Sequence, residues 1–347
     1  MTPKAAAFAI PGDINTVTGG YIYERLLLEN LRRLGHDVQH LQLGDTFPNP
    51  SAAHTSQAIE QLAAINPKRP LILDGLVYGS IATDGLAKTK APIVAMIHHP
   101  LALETGLDAD QREHLFRTER DNLALATHVL VPSPHTARIL ESDYSVQAER
   151  ITIAPPGTEK LTRRRDPVSP HLILSVGILH PRKGHDTFLR VLSRIKQLNW
   201  SAVIAGGAHH PGYEDELRQL IRDLGIGDRV RLAGKVSGED LQTLYRQASV
   251  FALATRYEGY GMVFDEALSW GLPIVSCSTG AVPDTVPKDA GLLVPIDDSE
   301  RFALALEQLL TDTDLNTRMA DAAATRGASL PTWSDTARIA GQVLDRL

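Results

Sequence analysis

The chain has 347 residues, of which 43% are hydrophobic and 22% charged, and its formal net charge is −6. That length exceeds one ordinary hydrophobic core and implies two domains, while the negative balance excludes nucleic acid as the main partner. A single cysteine, Cys277, excludes an internal disulfide framework and a cysteine-built zinc site, and it fits a reducing compartment.

Short apolar runs alternate with longer amphipathic ones. In the first half, residues 5–10, 37–43, 71–74, 92–98, 128–132 and 151–154 read as strands. A helix follows Gly19-Gly20, with Tyr23, Leu27, Leu31 and Leu34 on one face and Gly35 as its C-terminal cap. Residues 155–170 combine Pro155-Pro156-Gly157 with the basic run Arg163-Arg164-Arg165 and lack apolar periodicity, which reads as a solvated seam. Beyond it, residues 171–176, 202–205, 230–233, 250–254, 273–277 and 291–294 read as strands, with helices over 186–198 and 261–270. The tail 332–347 reads as a helix carrying Ile339, Val343 and Leu347 on one stripe. Strands separated by helices imply βαβ units on parallel sheets. The expected class is therefore α/β, with two doubly wound Rossmann-like domains over 1–165 and 166–331 and a final helix, 332–347, packing back on the first domain.

The segment from Glu258 to Glu266 places two carboxylates around a glycine-rich turn, between an apolar strand and a helix. Ligands bind at such strand ends in open α/β sheets. Backbone N–H groups at a helix start attract phosphate, whereas a carboxylate repels it, so Glu258 and Glu266 suit hydroxyls. Arg182 and Lys183 project from another loop between a strand and a helix. A guanidinium can grip two phosphate oxygens and an ammonium adds a point charge, against a plain reading as solvated loop charges. Gly206, in Ala205-Gly206-Gly207, either admits a ligand to the backbone or simply makes a tight turn. Gly19 and Gly20 open the first helix after a loop, in a spacing that differs from a dinucleotide fingerprint. His98 and His99 follow the strand at 92–98 and point in opposite directions if the chain stays extended. His98 reads as a ligand to sugar or phosphate, or as a satisfied structural histidine. His209-His210 lack metal-ligand spacing, and no metal dependence is expected.

Together these segments carry a resemblance. Leu34-Gly-His-Asp-Val38, Val131-Pro-Ser133, Pro155-Pro-Gly157, Val176-Gly…Arg182-Lys-Gly184, Glu258-Gly-Tyr-Gly261…Glu266-Ala267 and Gly271-Leu-Pro-Ile-Val275 resemble a family-4 retaining glycosyltransferase of the GT-B fold over nearly the whole chain. Ala254-Thr255 stands where Pro-Ser is usual, Tyr260 where Phe is commoner, and Asp284 where Glu is usual. The resemblance implies two Rossmann-like domains facing a central cleft. Arg182 and Lys183 would hold the donor diphosphate, Glu258 the donor sugar, and the backbone of Gly259, Tyr260, Gly261 and Met262 sugar hydroxyls or phosphate. Glu266 would bind the nucleotide ribose and Lys235-Val236 would line the base. Gly20 would approach the diphosphate, and His98 would sit near the transferred sugar, with His99 the fallback.

The function implied is metal-independent, retaining transfer of a hexose from a UDP- or GDP-sugar to an acceptor hydroxyl, with no cofactor beyond that co-substrate. The acceptor would be lipid-linked, a polysaccharide or a small molecule. A sugar-nucleotide epimerase of the same architecture and a non-catalytic sugar-nucleotide-binding protein are the alternatives. The start, Met1 to Ile10, is too short in its apolar part for a secretory signal, and no apolar run approaches the roughly 20 residues a bilayer requires. A cytoplasmic protein is expected, with peripheral contact at the inner face of a membrane left open.

Overall fold

A computed structural model describes residues 4–160 and 165–347; Arg163 and Arg164 of the basic run lie outside them. The chain up to Gly157 together with Pro331–Leu347 forms one compact unit, and Thr158–Leu330 forms the other.

The first unit is a parallel six-stranded sheet of β1 (Ala6–Pro11), β2 (Val38–Leu43), β3 (Leu71–Asp74), β4 (Ile93–Met96), β5 (His128–Val131) and β6 (Ile151–Ile153), in the order β2-β1-β3-β4-β5-β6. Every residue of β1 is buried, because helices cover both faces of a parallel sheet, so central strands read as unbroken apolar runs. The helix Gly19–Arg33 buries Tyr23, Leu27 and Leu31, and Tyr23 Oη donates to Ala154 O at 2.7 Å. The last helix, Trp333–Arg346, packs against it.

Two stripes differ from the sequence expectation. Leu34 is 36% exposed, because it caps the first helix beyond the edge of the core while Gly35 turns the chain in the left-handed region at φ 94°. On the last helix the buried face is Ala337, Ala340, Val343 and Leu344, with Ile339 and Leu347 at its margin. Close approach selects small residues there: a Cβ on Gly341 would lie 2.6 Å from His36 Nε2.

The second unit is also a parallel six-stranded sheet, of β7 (His171–Val176), β8 (Trp200–Ala205), β9 (Val230–Gly234), β10 (Ala248–Leu253), β11 (Ile274–Cys277) and β12 (Gly291–Val294). Its order, β12-β11-β10-β7-β8-β9, is the doubly wound Rossmann order. Phe188, Leu189, Val191 and Leu192 of the helix His185–Arg194 are buried in its core. That helix stops short of residue 198, because Ile195 O accepts from Trp200 Nε1 at 2.8 Å and the chain turns there.

In each sheet the strand order reverses between two neighbours, β1 and β3 in the first unit and β10 and β7 in the second. Loops leaving such neighbours diverge to opposite faces and open a crevice at the strands' carboxyl ends. Most of the candidate residues collect at these two points, whereas Gly206 follows β8 and Lys235 and Val236 follow the edge strand β9.

Candidate functional site

In the second unit the loop after β7 contains a short turn, Pro181–Lys183. His180 Nδ1 accepts from Arg182 N at 3.1 Å, and His185 Nε2 pairs with Ile178 O at 3.2 Å, which closes the loop on itself. The loop after β10 brings Glu258 alongside. Lys183 Nζ donates to Glu258 Oε1 at 2.6 Å and Thr255 Oγ1 donates to the same oxygen at 2.9 Å. Arg182 Nη1 lies 3.7 Å from Glu258 Oε2 and donates to Tyr257 O at 2.9 Å. Two cations and one buried carboxylate thus share one small volume with a net positive charge.

Burial opposes ionisation of Glu258, but Lys183 and Arg182, with the Lys183 and Thr255 hydrogen bonds, hold its pKa below the usual carboxylate range. The stability this adds is fully present above the unfolded value of about 4.3 and is lost as pH falls through the lower folded value. Urea unfolding of wild type and Glu258→Gln across acid pH checks this: the wild-type advantage at about pH 6 is expected to shrink by about pH 3.

A second ion-pair network fixes these two loops to each other. Arg256 Nη2 lies 2.9 Å from both Asp186 Oδ2 and Asp297 Oδ1, and Nη1 donates to Pro181 O at 2.5 Å. Glu258 O accepts from Ala281 N at 2.9 Å, and a Cβ on Gly280 would lie 2.2 Å from that oxygen, so only glycine allows this approach. Arg256, Asp186 and Asp297 carry no motif of their own, and sequence reasoning passed over them.

The remaining candidates of this unit lie around the same strand ends. Gly259 and Tyr260 form a bend, and Gly261 at φ 87° opens the helix Met262–Ser269. Tyr260 Oη donates to Asp265 Oδ2 at 2.5 Å, and burial pushes the Asp265 carboxyl up to about 7. Met262 and Glu266 share a helix face. Glu266 accepts from the buried Tyr245 hydroxyl at 2.7 Å, and burial raises its pKa. A Cβ on Gly206 would lie 1.9 Å from Gly177 O, so this glycine lets two strand-end loops touch. Lys235 is exposed beside Gly207, and Val236 packs against the core. His209 and His210 pack near His180.

In the first unit β4 ends at Met96, so His98 and His99 lie beyond it and take different partners. His99 Nε2 pairs with Glu104 Oε1 at 2.5 Å. His98 lies over Gly20, whose Cβ would be 3.5 Å from its Cδ2, and edge-on to the Tyr23 ring. Gly19 faces open space. Glu24, one helical turn after Gly20, and Asp74, the last residue of β3, turn toward His98. The donor atoms of Glu24, Asp74 and His98 lie within 4.8 Å of one another, the one such convergence among the described residues. The two carboxyls are thus close enough for the charge of one to oppose ionisation of the other. Burial pushes Glu24 up to about 7, and burial together with the neighbouring Glu24 raises Asp74 well above the carboxylate range. Burial also lowers the His98 pKa. Sequence reasoning missed this pair, although an acid on the apolar stripe of Tyr23 and Leu27 was a usable signal. No helix among the described residues is long and apolar enough to cross a membrane.

Comparison with known proteins agrees across both units. The family described as Glycosyltransferase Family 4 matches residues 18–160, and Glycosyl transferases group 1 matches residues 159–326. A D-inositol 3-phosphate glycosyltransferase of Stackebrandtia nassauensis is 29% identical over 221 residues, 58% of this chain and 50% of that protein. The chain spans about half the length of the curated relatives it matches. Among solved structures, sucrose-phosphate synthase from Thermosynechococcus elongatus superposes with a TM-score of 0.85 at 21% identity, covering 99% of this chain and 98% of that one. Anabaena Alr3699/HepE in complex with UDP-glucose superposes with a TM-score of 0.78 at 16% identity, covering 99% and 100%. The fold is therefore GT-B, with two Rossmann-like domains.

Proposed function

We propose, because the chain belongs to the family-4 glycosyltransferases, that it moves a hexose from a nucleotide-diphosphate sugar to an acceptor hydroxyl with retention of anomeric configuration. The observation that carries this reading is the guanidinium–ammonium pair at the strand-order reversal of the second unit, with Lys183 Nζ 2.6 Å and Arg182 Nη1 3.7 Å from Glu258. A diphosphate needs two cations on adjacent oxygens, and Arg182 supplies a planar fork while Lys183 supplies a point charge. Both groups, with the backbone N–H groups after Gly261, meet the negative charge that grows on the leaving nucleotide, which is the work a metal does in other transferases. Lys183 and Thr255 both donate to Glu258 Oε1, which leaves Oε2 to accept from a sugar hydroxyl, and the role proposed for Glu258 is binding rather than covalent attack. Acceptor attack on the face the nucleotide leaves then lets a donor phosphate oxygen take the acceptor proton. Within the first unit taken by itself, His98, with Gly20 beneath it, is the group proposed to meet a sugar hydroxyl. UDP- or GDP-hexose is the donor class, and the acceptor is a glycan, a glycolipid or a small polyol.

Isothermal titration with UDP-, GDP- and ADP-hexoses tests this, together with slow donor hydrolysis, product anomer by NMR and an arm in chelator. One donor class is expected to bind, and Arg182→Ala to weaken it roughly 10- to 100-fold, the worth of a charge-assisted hydrogen bond. Unchanged binding in Arg182→Ala overturns the assignment. A changed sugar without nucleotide release points to an epimerase, and binding with no turnover beside any acceptor points to a binding protein.

A further inference from the structure

The first unit contains a buried polar group that the reaction as described leaves unused. Glu24 is 1% exposed and Asp74 4% exposed, yet both are carboxyls at the strand-order reversal of their sheet. Their elements are far apart in sequence: Glu24 is on the helix Gly19–Arg33, Asp74 ends β3, and His98 follows β4. Asp74 Oδ1 also accepts from Leu76 N at 2.8 Å, which fixes its carboxyl plane. Glu24 Oε1 and His98 Nε2 are both buried, lie 3.4 Å apart, and have no hydrogen-bond partner among the described residues. The His98 side chain is 22% exposed, so its accessible surface belongs to other atoms than Nε2.

We infer that Glu24 and Asp74 are positioning residues for His98: Asp74 holds a proton and donates it to Glu24, and the Glu24 carboxylate accepts from His98 Nε2–H. The reason is local. A buried N–H without an acceptor costs the full desolvation of that group, and Glu24 Oε1 is the acceptor within reach. With the ring proton held on Nε2, Nδ1 keeps its lone pair and accepts from a ligand hydroxyl. The same logic fixes imidazole tautomers wherever a carboxylate backs a histidine. The 3.4 Å separation is the loose geometry of an unliganded site, which tightens when substrate loads the other side of the ring. The other titratable groups facing this cluster are Tyr21 and Tyr23 on the same helix, and Tyr21 in turn lies near Asp13 and Asp45. This inference rests on the reading that His98 meets a sugar hydroxyl, but its first test needs no substrate.

That test is long-range proton–nitrogen correlation on protein labelled with nitrogen-15 histidine, at about pH 8, where the His98 imidazole is neutral. His98→Asn identifies the signal. Wild type is expected to carry the proton on Nε2. Glu24→Leu removes the acceptor but keeps the volume, and a buried carboxyl replaced by an apolar group of similar size is tolerated. In it the proton is expected to move to Nδ1, and kcat for transfer to fall roughly 10- to 100-fold with donor KM moving less than about threefold. Asp74→Asn mimics a protonated Asp74, so it keeps a donor to Glu24 and is expected to keep the Nε2–H tautomer. An Nδ1–H tautomer in wild type overturns the inference whether or not any variant folds. So does an Asp74→Asn protein that loses the tautomer. A stoichiometric divalent cation found by elemental analysis and lost in Glu24→Leu overturns it as well. The expected tautomers with no turnover of any nucleotide sugar leave this inference standing and remove the transfer reading.

Discussion

Replacing Lys183 with alanine is expected to lower kcat for transfer by roughly 1,000-fold and to destabilise the second unit by about 3 kcal/mol. The two losses have different physical origins. Lys183 Nζ is the group nearest Glu258, at 2.6 Å, and the two side chains are only 12% and 6% exposed. Removing the ammonium leaves a buried carboxylate with Thr255 and the longer Arg182 approach at 3.7 Å as its remaining partners. That orphaned charge produces the stability loss, and the Glu258 pKa rises accordingly. Under the proposed function, the activity loss comes from the missing charge on the leaving diphosphate. Adding Glu258→Gln to Lys183→Ala separates the two, because the amide needs no counter-charge. The double variant is expected to regain most of the stability in urea unfolding and none of the turnover. If it regains turnover as well, Lys183 serves only to neutralise Glu258 and the diphosphate role fails.

Much of the architecture was legible because parallel strands buried on both faces must be apolar along their whole length. Leu71–Asp74 is buried throughout and His171–Val176 is buried after its first residue, as such runs require. Boundaries drifted where tertiary bonds decide them. β4 stops at Met96 although the extended pattern runs on to His98, because Thr136 Oγ1 takes His98 O and draws the chain out of the sheet. Four-residue helices such as Gly75–Tyr78 are too short to show periodicity and went unread. The glycine-rich turn and the cationic loop were readable as chemistry from residue type and position at strand ends. Their direct pairing was not, since residues 75 positions apart meet only once the strand order is known. Glu258 read as a free grip for hydroxyls, and the fold gives it Lys183 and Arg182 as partners. The Glu24, Asp74 and His98 group is hidden for the same reason: three elements contribute one residue each.

The largest structural effect is expected from a single methyl group, in Gly184→Ala. Gly184 follows the turn that carries Arg182 and Lys183 and sits at φ 62°, in the left-handed region where alanine is strained by about 1 kcal/mol. Strain is the lesser part. The new Cβ would lie 1.9 Å from Ala254 O, at the end of β10. That carbonyl cannot retreat, because Ala254 and the whole of β10 are buried, with β7 on one side and β11 on the other. The cationic loop must move instead, which pulls Lys183 away from Glu258. The expected cost is about 4 kcal/mol, a fall in Tm of roughly 10 °C for a domain of this size, with loss of donor binding. Gly212→Ala supplies the comparison. Gly212 also has a left-handed backbone, at φ 77°, but nothing lies within 4 Å of its Cβ position. It pays the strain alone, about 1 kcal/mol, and leaves donor binding intact. Calorimetry with donor titration on both variants separates backbone strain from loop displacement. If Gly184→Ala behaves like Gly212→Ala, the two loops are not held in the close register on which the diphosphate site depends.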